Sequence, residues 1–109
     1  MDAKSFTISP TGQTSVYVTG GNYSNTTINI KDSTMNTTIL FKYNDFGYNA
    51  SGAIIGSTNN TKVSLLSTGI HGSLTFEQCT QYSLMLGFFG LFEKTNVSFV
   101  SISSFSSVT

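Results

Sequence analysis

Charge is what this sequence has least of. Lysine, arginine, aspartate and glutamate make up 9% of its 109 residues, where about 25% is usual in soluble domains. The formal net charge is zero, and every basic residue is a lysine (Lys4, Lys31, Lys42, Lys62, Lys94). With no arginine fork and no basic cluster, the electrostatic footprint of a nucleic-acid binder is missing. No nucleic-acid partner is expected.

Other absences narrow the choice further. A single cysteine, Cys79, cannot form an intramolecular disulfide. The longest apolar run, residues 84–92, is too short to cross a membrane as a helix. The opening "MDAKSFTIS" has no basic start followed by an apolar stretch, so no signal peptide is read there and synthesis in a cytoplasm is expected. Helical spacing of apolar residues is nearly absent as well. The only proline, Pro10, falls in "SPTG", a turn pattern that leaves strand ladders intact.

Alternation fills the remainder. Phe6 and Ile8 share a strand face, as do Val16 and Val18, Ile28 and Ile30, and Ile39, Phe41 and Tyr43. Val63 and Leu65, then Leu74 and Phe76, repeat the pattern. "GGN" at 20–22, "STGIHG" at 67–72 and Thr95-Asn96 read as turns, and "YNDFGYNASG" at 43–52 as a longer loop. About eight short strands at this spacing predict an all-β fold, a single antiparallel β-sandwich or jelly roll spanning residues 1–109.

One phrase recurs: Asn25-Thr26-Thr27-Ile28 returns as Asn36-Thr37-Thr38-Ile39. The eleven-residue offset does not continue, so a stacked-repeat architecture is not expected and each copy is read as the start of a strand. Asparagine suits the turn, threonine a half-exposed pleat, and isoleucine the buried face. Six asparagines (22, 25, 36, 49, 59, 96) lie in N-x-[ST] acceptor patterns; chance would give roughly two or three in a chain this rich in serine and threonine. Turn chemistry accounts for them without any sugar. Two threonine doublets are also too few for a regular ice-binding array.

Catalytic chemistry finds little to stand on. His71, between glycines, has no second histidine or cysteine pair as a metal-site partner, and Cys79 has no oriented base in view. The five acids (Asp2, Asp32, Asp45, Glu77, Glu93) show no i, i+2 pairing on one strand face. The chain is therefore read as a non-enzyme without cofactor or metal. "LMLGFFGLF" (84–92) carries no polar side chain, and a strand of that kind calls for cover on both faces. Met85, Phe88, Phe89, Leu91 and Phe92 are the candidate subunit interface.

A neutral Ser/Thr/Asn/Gly surface gives little repulsion between copies. The expected function is a non-enzymatic structural subunit of a homo-oligomeric or mixed assembly. A small virion protein (capsid decoration, minor capsid or spike subunit) at a particle surface is the specific form expected. The alternative is a carbohydrate-binding module or adhesin, with Tyr43, Asn44, Asp45, Tyr48 and Asn49 meeting a glycan: amides and a carboxylate for the hydroxyls, rings for the apolar sugar face.

Overall fold

The computed structural model describes residues 4–34, 36–78 and 84–100. They form eight strands: β1 (Lys4–Ile8), β2 (Thr14–Ser24), β3 (Thr26–Lys31), β4 (Thr37–Gly47), β5 (Ala50–Ile55), β6 (Thr61–Gln78), β7 (Leu84–Phe89) and β8 (Phe92–Val100). Every pairing is parallel. One stack runs β1, β3, β5, the second half of β6, then β8, with Phe6, Ile28, Gly52, Phe76 and Phe99 in one column. The other runs β2, β4, the first half of β6, then β7, with Val16, Ile39, Val63 and Leu86 in register. The chain alternates between the stacks and returns to each after 22 residues (Phe6 to Ile28), 23 (Val16 to Ile39) or 24 (Ile28 to Gly52). This is a β-solenoid.

The antiparallel sandwich or jelly roll expected from the sequence is thereby overturned. Alternation marks a strand with one wet face but says nothing of the direction of its neighbours. Parallel sheets are usually covered on both faces and written as continuous apolar runs. A solenoid escapes that rule, because its own coil supplies the second wall. The turns expected at 20–22, 67–72 and 95–96 lie inside β2, β6 and β8, and most of the expected 43–52 loop belongs to β4 and β5.

Inward rows from both stacks form one core that includes Ile28, Ile30, Ile39, Phe41, Phe46, Ile54, Leu65, Ile70, Leu74 and Phe88. Gly52 is placed by this column. A Cβ there would stand 2.4 Å from the ring of Phe76 one coil on, so the Phe76 ring occupies the space that a side chain at 52 would take. Along β4 the buried parity changes from Ile39, Phe41 and Tyr43 to Phe46. β6 makes the same change, from Val63 and Leu65 to Ile70, Leu74 and Phe76.

Corners explain the asparagines. Among the described residues seven other than glycine have positive φ, and five are Asn or Asp: Asn25, Asp32, Asn36, Asn49 and Asn60. These two side chains best tolerate the left-handed region. They recur a coil apart, Asn25 with Asn49 and Asn36 with Asn60, while Asp32 precedes left-handed Gly56 (φ 87°) by 24 positions. The eleven-residue offset of the Asn-Thr-Thr-Ile phrase is thus half a coil, and the expectation that no stacked repeat exists was mistaken because the true period is twice as long. The first threonine after each corner is not half-exposed either. Thr26, Thr37 and Thr61 are fully buried. Their hydroxyls donate back to corner carbonyls of Ser24, Gly12 and Asn59 at 3.4 Å.

Candidate functional site

Three coils converge at one corner of the solenoid. Asp45 near the end of β4, His71 in β6 and Glu93 at the start of β8 stand on successive coils. His71 Nε2 lies 2.9 Å from Asp45 Oδ1, and Nδ1 lies 3.4 Å from Glu93 Oε2. The imidazole is thus held between two carboxylates. The Asp45 oxygen is buried and not aligned for a regular hydrogen bond among the described residues, so the 2.9 Å approach is a close polar contact. The ring of Tyr48 lies parallel to His71, with centroids 5.7 Å apart and planes at 10°.

Backbone sets this geometry. Tyr48 N–H donates to the His71 carbonyl at 2.8 Å, and Asn25 N–H donates to the Tyr48 carbonyl at 2.9 Å. At Gly47 a Cβ would stand 2.3 Å from the His71 carbonyl oxygen, so only glycine lets the two coils approach this closely. A register shift between His71 and Gly72 turns β6 at the same corner, beside left-handed Tyr48 and Lys94. Bulges of this kind re-aim side chains. Tyr48, His71, Gly72, Glu93 and Lys94 line an open depression of about 610 Å³.

What the corner can do chemically is limited. The two carboxylates meet opposite nitrogens of one ring and so do not converge on a point. Among the described residues no three His, Cys, Asp or Glu groups come together to hold a metal ion. A second depression of about 450 Å³ at another corner is lined by Asp32, Ser33, Thr34, Gly56, Ser57 and Asn59. It holds a single carboxylate.

The residues proposed for glycan binding are divided by the fold. Tyr43 is a core residue, 2% exposed, packed on Tyr23 and Phe46, so it offers no platform to a sugar. Burial, with Tyr23 adding to it, pushes its phenol well above the usual tyrosine range. Asn44 is exposed, and its carbonyl accepts from the Thr68 hydroxyl. Asp45 is engaged by His71, and Asn49 Nδ2 reaches Asn25 Oδ1 at 3.5 Å. Asn49 is exposed, and Tyr48, 57% exposed, is the ring of the set that faces outward. His71, Glu93 and Lys94, the neighbours that complete the depression, were not in the expected set. Only the coil register brings them beside Tyr48.

The candidate interface is divided too. Phe88 is buried in the core and offers no face to a partner, while Phe92 is half-buried against that core. Met85, Phe89 and Leu91 are exposed, and Leu66, in register with Phe89, joins them. Inward Leu84, Leu86 and Phe88 alternate with outward Met85 and Phe89, which is why nine residues could lack a polar side chain. Cys79 lies outside the described residues. No helix is long and apolar enough to cross a membrane among the described residues. Compared with protein-family models, with curated proteins and with solved structures, the chain matches none.

Proposed function

We propose that this solenoid is a non-enzymatic structural module that associates with copies of itself or with other structural subunits. The observation carrying this reading is the exposed apolar group of Leu66 on β6, Met85 and Phe89 on the adjoining β7, and Leu91 in the link that follows β7. Such groups on a soluble domain commonly mark contact surfaces, and the chain's zero net charge leaves association unopposed. No feature of the fold and no comparison points to a virion or capsid, so that narrower expectation is dropped. Mass measurement in dilute solution tests the reading, with Met85→Lys/Phe89→Lys as the variant. A wild-type assembly that shrinks in the variant supports it, and a wild-type monomer at all concentrations would overturn it.

A glycan-binding role is the second reading, favoured by one observation: the exposed ring of Tyr48 beside the carboxylate of Glu93 and the amine of Lys94 in an open depression. Tyr48→Ala should abolish binding in a glycan array without loss of folding. A wild-type chain that binds no glycan counts against it.

A further inference from the structure

The corner phrase of one coil is written again on the next. Asp32-Ser33-Thr34 follows β3, and Gly56-Ser57-Thr58 follows β5, 24 positions on. Asp32 and Gly56 both take the left-handed conformation, at φ 49° and 87°. The Asp32 carboxylate lies in the space that a Cβ at Gly56 would occupy. Glycine on the second coil thus makes room for an acid on the first. Around that carboxylate lies the depression of about 450 Å³, which Ser33, Thr34, Ser57 and Asn59 also line.

The turn alone does not call for an acid. Asparagine fills such corners at 25, 36, 49 and 60 and tolerates the left-handed region as well as aspartate does. Among the described residues the Asp32 carboxylate has no ion pair and accepts no hydrogen bond. Its neighbours are already set in one sense. Thr61 Oγ1 donates to the Asn59 carbonyl at 3.4 Å, so in its 2.8 Å contact with Ser33 the proton comes from Ser33. Ser33, 1% exposed, is thereby held, and its oxygen is left to accept. Thr34 Oγ1 accepts from the Gly12 N–H at 3.2 Å and keeps its own proton to donate. A carboxylate can only accept, so the wall favours a ligand rich in donors.

We propose that this depression binds a neutral saccharide by its edge, two adjacent hydroxyls donating to the Asp32 carboxylate while Thr34, Ser57 and Asn59 meet the others. The site goes beyond both readings above, since neither Tyr48 nor the apolar group of β6 and β7 takes part. Its volume lies within the range of about 300–1,000 Å³ usual for small-molecule sites. No lysine and no aromatic ring lines it. An anion would find no counter-charge there, and a planar ligand no ring to stack on. A calcium ion calls for about six to eight converging oxygens and would leave most of the space unfilled.

Amide chemical shifts of the wild type, titrated with glucose, galactose and mannose and separately with calcium chloride, test this. The expected result is a saturable shift at residues 32–34 and 56–59 with at least one of the sugars. Asp32→Asn suits the same left-handed corner and should weaken that binding by about tenfold or more, because the charge-assisted bonds are lost. Asn59→Ala leaves in place the carbonyl that Thr61 uses and should weaken binding too, whereas Tyr48→Ala should not change it. No saturable shift at these residues with any of the three sugars overturns the proposal, as does binding that Asp32→Asn leaves intact. Shifts confined to the Tyr48 depression and lost in Tyr48→Ala would uphold the earlier glycan reading and overturn this one. Shifts at residues 32–34 and 56–59 with calcium but with no sugar would mark a cation site and overturn it as well. If Asp32→Asn unfolds the chain, Asn59→Ala decides alone: unchanged affinity overturns the proposal.

Discussion

Ser33 Oγ and Thr61 Oγ1 lie 2.8 Å apart, both buried, although 28 positions separate them in the chain. The pair ties the loop leaving β3 to the start of β6. Thr61 therefore serves two corners, since the same hydroxyl also reaches the Asn59 carbonyl at 3.4 Å. Thr61→Val should cost about 1–3 kcal/mol by leaving the Ser33 hydroxyl buried without its partner. Adding Ser33→Ala should cost less than the sum of the two single changes, a coupling that a double-mutant cycle by urea unfolding reads directly.

Tyr43 gives a pH prediction. Its hydroxyl is buried without a hydrogen-bond partner among the described residues, and its folded pKa is raised by burial, with Tyr23 adding to it. The native state thus keeps a proton that the unfolded state releases above about pH 10. Stability from this group is complete below that pH and falls as pH rises toward the folded value. Tyr43→Phe should be neutral or stabilising at pH 7 and should flatten the alkaline decline. Urea midpoints for both proteins across about pH 8 to about pH 11 check this. An unchanged alkaline slope in the variant would refute it.

At the Asp45–His71–Glu93 corner, removing the imidazole leaves a buried carboxylate oxygen behind. His71→Phe keeps a ring against Tyr48 but loses both acid contacts. It should destabilise by about 1–3 kcal/mol. Adding Asp45→Asn should recover part of that loss, because the stranded charge is gone. Thermal melts of the two variants at one pH make the comparison. No recovery in the double variant would mean that the carboxylate is not held by His71.

Two glycines should respond differently to alanine. At Gly52 the new methyl meets the ring of Phe76, a side chain that can shift, and about 1–3 kcal/mol is expected for such overpacking. At Gly47 it meets the His71 carbonyl, which belongs to the backbone of the next coil. Gly47→Ala should therefore cost more than Gly52→Ala and should also loosen the corner, seen as faster amide exchange at Tyr48. The reverse order in unfolding free energy would count against the close approach of these coils.

The strands were legible in the sequence. Ile28 and Ile30, Ile39 and Phe41, Val63 and Leu65, Leu74 and Phe76 alternate inward as their spacing implies. Their direction was not, because alternation is the same for a parallel and an antiparallel neighbour when one face is wet. The coil length was written in Asn25 with Asn49 and Asn36 with Asn60, but the residues between vary so freely that the near copy at eleven positions concealed the period of 24. The candidate corner was the least legible part. Asp45, His71 and Glu93 are remote in sequence, and no local spacing rule joins residues that meet only after the chain has gone once around.

That long way around has a kinetic consequence. No hairpin exists among the described strands, so the first native strand pair must close a loop of about 20 residues before any ladder bond forms. Folding then begins with an entropic barrier rather than a local nucleus, and topologies rich in non-local pairs fold slowly for that reason. Once one coil has settled on another, each further coil finds its template ready and adds in the manner of a one-dimensional array. The chain should therefore refold with a slow initiation followed by rapid zippering. The central coils, templated on both sides, are the natural place for it to start.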